Sequence, residues 1–336
     1  MSRNRILIVA AVIAGIFVLC ICGGTAGFLA FNLPLGPALQ IETQPPAAAA
    51  ETAAVSSPAP LPTPSPQSVP EENCGAKGSV NILIMGVDSP FGDGFKGPLA
   101  IRLIRMDFSR KTADVFSFPR DLWISVKGLE NLGVTQSRLG SVYQLARVNA
   151  GLGEGAATNL MAQNLYQNFG AFSDHYVTGK MSTLASIIDT VGGIDVNIPV
   201  AHDATPWGMH YFPAGPYHLS GLLAMEYAIT PTLSGQWDGW NRQTLVLYAL
   251  FQRLLSSDML PKLPDLIPQF LQAAATDLSL QQVLNLLCLS QQIPRERTVY
   301  AEVAPEDVTF GPDGVQYPKI EAIRAKVAQH LSPNKP

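Results

Sequence analysis

Charge is scarce in this 336-residue chain: Asp, Glu, Lys and Arg make up only 14% of it, and the formal net charge is −4. The sequence has no basic stripe that would suit nucleic acid, so we exclude that class of partner. The scarcity is greatest near the N-terminus, where no charged residue occurs from Ile6 to Phe31. This run of 26 residues exceeds the roughly 20 apolar residues that a membrane-spanning helix needs.

The charges that flank this run predict its orientation. Arg3 and Arg5 precede it, and no Lys or Arg follows until Lys77. Because positive charge stays inside the cell, we expect residues 1–5 to be cytoplasmic, residues 6–31 to form a single-pass anchor in the cell membrane, and the C-terminal part to be extracytoplasmic. The alternative is a cleaved signal peptide, but the apolar core of such a peptide has typically about 7–15 residues.

Cysteine is also scarce, with four residues in the chain. Cys20 and Cys22 lie late in the apolar run, and the large apolar residues before Cys20 do not favour lipid attachment. Outside the cytoplasm Cys74 and Cys288 could pair, although two cysteines alone do not make a disulfide framework. Cys288 falls within an apolar helical pattern, and we expect it to be a buried core thiol.

Large apolar residues are rare between residues 32 and 78, where ten prolines and an alanine run occur. Such a segment cannot bury enough surface to offset its conformational entropy, and its prolines favour an extended, semi-stiff spacer. We therefore assign residues 32–78 to a linker and residues 79–336 to one extracytoplasmic domain. A segment of that length suffices for a full hydrophobic core.

Within this domain, apolar runs that suit strands alternate with patterns that suit helices. The expected strands are Val80–Gly86, Leu99–Asp107, Ala113–Phe118, His175–Thr178, Ile194–Ile198 and Thr298–Val303. The expected helices cover about residues 137–147, 155–169, 219–227 and 240–255, with one more capped by Ser182 and one starting at Ser279 in a capping box with Gln282. Interleaved strands and helices predict an α/β fold with a mixed central sheet flanked by helices.

Common catalytic signatures are absent: there is no Gly-x-Ser-x-Gly, no reactive-cysteine context and no phosphate loop. His202, Asp203 and His210 do not have the spacing of a standard metal site. Asp88 follows a buried strand and a glycine, which would suit a divalent cation in a cleft. The same position equally suits a carboxylate that ties the following turn.

Two further charged groups have open interpretations. Pro119 stops a strand, and Arg120 and Asp121 follow it at once; the pair could bind an anion or form a salt-bridged corner. Arg242 and Gln243 begin an apolar helix in our assignment, where free backbone amides favour anions. Ordinary polarity at a helix start explains them as well.

The ordered set of stretches resembles the LytR-CpsA-Psr family of cell-envelope proteins. The similar blocks run from residue 79 to about residue 300 and include "NILIMGVDS", "VFSFPRD", "RLGSVY", "DHYVTGKMSTLASIIDTVGGIDVNIP", "YHLSGLLAMEYA" and "NRQTLVLYAL". The resemblance implies a fold with a hydrophobic pocket for a polyprenyl chain. It also implies a phosphotransferase that moves a glycopolymer from a polyprenyl-pyrophosphate carrier to a cell-wall acceptor.

Carried over by position, the resemblance implies a role for each charged group. Arg120, Arg242 and Gln243 would bind the pyrophosphate, and Arg120 with Asp121 would be catalytic. Asp88 would bind Mg²⁺. Such a site works by positioning and by neutralising charge.

The chain departs from the family pattern at several charged positions. Gly97 and Leu99 stand where the family has an arginine and a second metal carboxylate, which weakens the Mg²⁺ expectation. Ile229 and Pro231 replace two arginines, and Gly239 replaces a third. Arg102 and Arg105 lie three residues apart on one strand, so only one of them can lie on the face of Leu99.

Two hypotheses follow for the activity. In the first, the chain is a glycopolymer transferase with a diverged active site. In the second, it is an inactive module that binds polyprenyl-linked ligands or assembles envelope partners. We expect Asp88, Arg120 and Arg242 to converge at one end of an apolar pocket, which would support anion binding under either hypothesis.

Overall fold

The computed structural model describes residues 32–43, 74–87, 97–230, 237–254, 256–259, 262 and 274–332. The strands in this part of the chain are β1 (Ser79–Val87), β2 (Ala100–Asp107), β3 (Thr112–Ser117), β4 (Trp123–Ser125), β5 (Gln136–Arg138), β6 (His175–Lys180), β7 (Ile194–Ile198), β8 (His202–Asp203), β9 (Tyr211–Phe212), β10 (Gly215–Leu219), β11 (Ala274–Thr276), β12 (Thr298–Glu302), β13 (Val308–Phe310) and β14 (Gln316–Pro318). The helices are α1 (Leu139–Gln144), α2 (Glu154–Phe169), α3 (Met181–Thr190), α4 (Gly221–Ile229), α5 (Trp237–Leu254), α6 (Leu280–Gln292) and α7 (Ile320–Leu331).

The centre of the fold is a six-stranded mixed sheet with the order β11-β6-β1-β2-β3-β12. β1 pairs parallel to β6, and β3 pairs parallel to β12, whereas β2 runs antiparallel to both β1 and β3. The strands β1, β3, β6 and β12 therefore all end at the same edge of the sheet, which we call the carboxyl edge. The opposite edge is called the amino edge. This confirms the predicted mixed α/β fold.

One face of the sheet forms the first apolar core. Leu83, Met85, Ile101, Leu103 and Phe116 are at most 2% exposed and pack against α1, α2 and α7. These residues alternate with partners on the other face, because successive side chains of a strand point in opposite directions. The continuous apolar run in β1 reflects this cover on both faces.

A second apolar cluster lies past the carboxyl end of β6, around α3, α4, α5 and β7. Its members include Ile188, Ile194, Leu219 and Met225, which are fully buried. The glycines Gly192 and Gly193 both have φ of 84°, so they end α3 in a conformation that suits glycine and turn the chain into β7. This cluster is the structural counterpart of the long block that resembles the family.

Several helix boundaries differ from the sequence expectations. α3 begins at Met181 with Lys180 before it and no side-chain cap, so Ser182 does not cap it. α5 begins at Trp237, which puts Arg242 and Gln243 in its second turn, away from the free amides of the helix start. The capping box of Ser279 and Gln282 is confirmed at the start of α6.

The part of the predicted linker that the structure describes lies on the domain. In residues 32–43, the Leu35 amide donates to the Leu278 carbonyl at 3.2 Å. The Gln40 amide donates to Asn159 of α2 at 2.6 Å. Leu39 and Ile41 pack against the first apolar core. Residues 32–43 are therefore attached to α2 and to the start of α6.

Cys74 and Cys288 form a disulfide with a Cα–Cα distance of 5.6 Å. The expectation of a buried thiol at Cys288 was therefore wrong. The prediction that Cys288 lies in a helix is confirmed, since it lies in α6. A pairing across 214 residues depends on the tertiary fold and is not visible in a local pattern. The bond joins the start of the domain to α6.

The predicted anchor, residues 6–31, lies outside the described residues. Within the described segments, every helix is too short or too polar to cross a bilayer. The anchor and the domain boundaries derived from it remain predictions.

Candidate functional site

The candidate site lies at the carboxyl edge of the central sheet. β3 ends at Ser117, and Arg120 follows three residues later. Arg102 pairs with Ser117 in the sheet, so it lies near the same edge from within β2. Open α/β sheets place ligands at this edge because the loops that leave parallel strands converge there.

Arg120 is positioned by a close contact with Gly140 at the start of α1. The Gly140 amide donates to the Arg120 carbonyl at 2.7 Å. A Cβ at Gly140 would lie 2.9 Å from the Cβ of Arg120 and 3.5 Å from its Nε. Because Gly140 has no side chain, Arg120 can lie across the start of α1.

Asp121 pairs with Arg138, whose Nη1 lies 3.5 Å from the Asp121 Oδ1. Burial lowers the pKa of Arg120; the neighbouring Asp121 counteracts this shift, and the positive charge of Arg138 adds to it. One carboxylate thus serves two guanidiniums. Arg120, Asp121 and Arg138 together form a half-buried group of two guanidiniums and one carboxylate.

Arg242, the second predicted anion ligand, is only 7% exposed and binds the end of α4. Its Nε donates to the Tyr227 carbonyl at 2.7 Å, and its Nη2 donates to the Thr230 carbonyl at 2.5 Å. Its guanidinium carbon lies 5.9 Å from the centre of the Tyr227 ring. A cation suits these carbonyls because the last turn of a helix leaves them without helical donors and carries partial negative charge.

Gln243, the third predicted ligand, binds Arg102. The Nη2 of Arg102 donates to the Gln243 Oε1 at 3.2 Å, and its Nη1 donates to the Thr244 hydroxyl at 3.0 Å. Burial lowers the pKa of Arg102 to about 10, with Tyr300 and Glu302 counteracting that shift. Sequence reasoning considered Arg102 only as a replacement charge, and nothing in the local pattern showed that it would reach α5.

Arg105 points to the opposite face of β2 and lies near the amino edge. It lines a cavity of about 400 Å³ together with Asn81 and Leu331. Its Nη2 lies 3.7 Å from Asp107. Arg105 has the parity of Leu99, but it lies at the wrong edge to replace the charges missing from the carboxyl edge.

The missing charges are explained by packing. Leu99 is half-buried and packs against the second apolar cluster. Gly97 has φ of 80°, and a Cβ there would clash with the carbonyl oxygen of Gly140. Gly97 and Gly140 thus lie against each other, and Arg120 lies against Gly140. Ile229 also packs against the second cluster.

Among the described residues, the candidate site has few oxygen ligands suited to a magnesium ion. Asp121 is the carboxylate that lies beside Arg120, and Arg138 already pairs with it. No group of three or more His, Cys, Asp and Glu side chains suited to a metal occurs among the described residues. Asp88, the predicted metal ligand, lies outside them, so its convergence with Arg120 and Arg242 stays a prediction.

Comparison with known proteins agrees with this architecture. The chain is 25% identical over 264 residues to TagV of Bacillus subtilis strain 168, a polyisoprenyl-teichoic acid–peptidoglycan teichoic acid transferase; the match covers 75% of this chain and 64% of that protein. The crystal structure of B. subtilis TagV superposes with a TM-score of 0.59 at 22% identity, over 76% of this chain and 98% of that one. A structure of TagT bound to LI-WTA gives a TM-score of 0.55 at 18% identity, over 79% and 94% of the two chains.

The family model for LytR_cpsA_psr proteins matches residues 47–327. That span includes the central sheet and the charged residues of the candidate site. It also includes both apolar clusters, apart from the last turn of α7. The curated relative is longer than the matched segment, which spans 64% of its length. On the extent of the family match, this chain belongs to the LytR_cpsA_psr family.

Proposed function

We propose that this chain is a membrane-anchored protein of cell-envelope biogenesis that takes a glycopolymer from a polyprenyl-pyrophosphate carrier and transfers it to a cell-wall acceptor. The observation that carries this proposal is the charge at the carboxyl edge. There Arg120 and Arg138 lie beside the carboxylate of Asp121. A pyrophosphate is a multivalent anion, and a planar guanidinium offers it paired donors.

The second face of the central sheet supplies an apolar surface that leads to this edge. Ile82, Ile84, Ile104, Val115 and Val177 share it, as the strand register requires. α5 reaches this face through Gln243 and Thr244, and α6 reaches it where Gln282 lies 3.0 Å from His175. We assign the polyprenyl chain to this face, because an isoprenoid is apolar and a pyrophosphate at the carboxyl edge would lie at its end.

The proposed reaction is a displacement at phosphorus. A hydroxyl of the acceptor forms a bond to the phosphorus that carries the glycan and releases its proton to water. The bridging P–O bond breaks, and polyprenyl phosphate leaves with the electron pair of that bond. Arg120 and Arg138 neutralise the charge that develops on the leaving phosphate, and Asp121 orients both guanidiniums. Arg242 contributes by fixing α4 to α5, because its donors are directed to α4 carbonyls.

A second function, binding without transfer, is favoured by the packing of Leu99 and Gly97. The positions of the missing carboxylate and arginine are filled by an apolar contact and by backbone. Loss of one preorganised donor typically costs a factor of about 10²–10³ in rate. A site that has lost several charges could retain affinity for the lipid-linked anion while transfer stops.

The test separates affinity from turnover. Binding of polyprenyl pyrophosphate to the full chain in detergent is measured with and without Mg²⁺. Transfer is measured as release of polyprenyl phosphate from a polyprenyl-pyrophosphate-linked sugar in the presence of cell-wall fragments. Binding with turnover supports transfer, binding alone supports the second function, and no binding overturns both. Any dependence on Mg²⁺ tests the expected metal site at Asp88.

Arg120→Gln is the informative variant for this test, and Arg324→Gln is its control. Arg324 lies in α7 and pairs with Glu321 at 3.0 Å on the surface. We expect Arg120→Gln to weaken binding and Arg324→Gln to leave it unchanged. Equal binding by both variants would show that the anion lies elsewhere.

A further inference from the structure

The helix α6 carries an apolar stripe on its exposed side. Its sequence, "LQQVLNLLCLSQQ", contains no charged residue. Leu280, Leu284 and Leu287 lie at positions i, i+4 and i+7 and therefore share one side of the helix. Leu284 is 38% exposed and Leu287 is 36% exposed, although solvent-facing helix positions normally carry polar side chains.

The other sides of α6 are occupied by the protein itself. Leu289 is fully buried, and Gln282 contacts His175 at 3.0 Å. Cys288 is bonded to Cys74, and Asn285 lies against Gly75. Leu280, Leu284 and Leu287, which we call the leucine stripe, lie on the solvent-facing side of α6, away from these contacts.

The chain reaches the domain beside this stripe. The predicted anchor, residues 6–31, ends directly before Asn32. Leu33 and Leu35 are 58% and 43% exposed, and the Leu35 amide donates to Leu278, two residues before α6 begins. A predicted membrane anchor would therefore leave the bilayer within a few residues of the leucine stripe.

Cations lie near the far end of α6. Arg297 follows the helix, and its Nη1 donates to the carbonyl of Arg110 in the turn between β2 and β3 at 3.2 Å. Lys111 lies in the same turn, and Lys77 precedes Gly78, whose amide bonds to Ser109 of that turn at 3.3 Å. Glu296 is the exposed carboxylate beside them. An apolar stripe with cations at its end suits an anionic lipid surface.

We propose that the leucine stripe of α6, with Leu33 and Leu35, lies against the outer leaflet of the membrane that holds the chain. The inference rests on the predicted anchor and is independent of the anion site. The amino edge of the sheet then faces the bilayer, since α6 leads to the start of β12 and Cys74 precedes β1. The carboxyl edge, with Arg120, faces away from the membrane towards the cell wall.

The test is photo-crosslinking of the full chain in vesicles that contain anionic lipid. Benzoylphenylalanine replaces Leu287 in one variant and Leu222 in the control. Leu222 is 48% exposed on α4, and this helix lies past the carboxyl edge, where other residues of α4 belong to the second apolar cluster. We expect lipid adducts at residue 287 to exceed those at residue 222 by about fivefold or more, because crosslinking requires contact with lipid.

Each other outcome overturns the proposal. Equal lipid adducts at both positions would show that α6 does not lie on the membrane, and adducts of residue 287 to a second copy of the chain would make the stripe a protein interface. If alkaline carbonate extracts the chain from vesicles, residues 6–31 do not anchor it in the bilayer, and the proposal loses its basis. Replacing anionic by zwitterionic lipid should lower the adducts at residue 287 about twofold; an unchanged yield would overturn the role of the cations.

The double variant Leu284→Gln with Leu287→Gln keeps this test separate from the proposed function. It should lower the membrane contact, measured by the same photoprobe placed at Leu280, and leave binding of polyprenyl pyrophosphate in detergent unchanged. Its unfolding temperature should fall only slightly, because each leucine is about a third exposed and glutamine is similar in size. Loss of polyprenyl pyrophosphate binding in this variant would place the stripe in the ligand site and overturn its assignment to the membrane.

Discussion

Arg120 and Arg242 are the two arginines that the sequence assigns to the same anion, yet their surroundings differ. Arg242 is buried, and its donors are directed to two carbonyls at the end of α4. Arg120 is half-buried and lies across Gly140, beside Asp121 and Arg138. The same residue type therefore fixes two helices in one place, and in the proposed function it offers charge to the pyrophosphate in the other.

The largest expected effect comes from Arg242→Gln. Removing the guanidinium leaves the Tyr227 and Thr230 carbonyls without their donors, which should lower the free energy of unfolding by roughly 2–4 kcal/mol. Denaturant unfolding of the full chain in detergent measures it. If stability is unchanged while binding of polyprenyl pyrophosphate is lost, Arg242 is a ligand residue, and the contrast with Arg120 fails.

Arg120→Gln should act on binding. A charge-assisted hydrogen bond contributes about 1.5–3 kcal/mol, so the affinity for polyprenyl pyrophosphate should fall roughly 10- to 150-fold. The free energy of unfolding should change by less than about 1 kcal/mol, because the side chain is only half-buried. A large loss of stability with unchanged affinity would make Pro119-Arg120-Asp121 a structural corner.

Gly140→Ala should disturb Arg120 without removing it. The new Cβ would lie 2.9 Å from the Cβ of Arg120, so the arginine must shift. We expect the affinity to fall by about tenfold, as a misplaced donor loses much of its hydrogen bond. Gly153→Ala is the control, since a Cβ there meets no atom within 4 Å. Equal effects of the two changes would point to a general response of the fold.

The smallest expected effect is that of Arg138→Gln. Arg138 is 35% exposed in its side chain, and exposed ion pairs contribute about 0.2–1 kcal/mol. Asp121 would then no longer be shared with Arg138 and would neutralise more of the charge of Arg120. The affinity for polyprenyl pyrophosphate should fall two- to fivefold and become less sensitive to salt, since one fewer cation attracts the ligand. A salt dependence equal to that of the unchanged chain would show that Arg138 does not attract the ligand.

The sequence could not predict that Arg120 and Arg242 have different surroundings. Arg120 follows an apolar strand, Arg242 precedes an apolar stretch, and both match a family position, so the local pattern gives no reason to assign them different roles. Their partners come from α4 and from the start of α1, at 12–15 residues and 18–20 residues along the chain. Contacts of long side chains depend on which elements pack together, and sequence periodicity does not report that.

The sequence alone determined the main strands, the capping box of α6, the mixed α/β fold and the family. These features depend on local rules: alternation in strands, capping at helix starts, and glycine where φ is positive. The tertiary structure decided the Cys74–Cys288 disulfide, the attachment of residues 32–43 to the domain, the contact of Arg102 with Gln243 and the different fates of Arg120 and Arg242. Each of these joins residues that are distant in the chain, so only the packing of the two apolar clusters and the sheet brings them together.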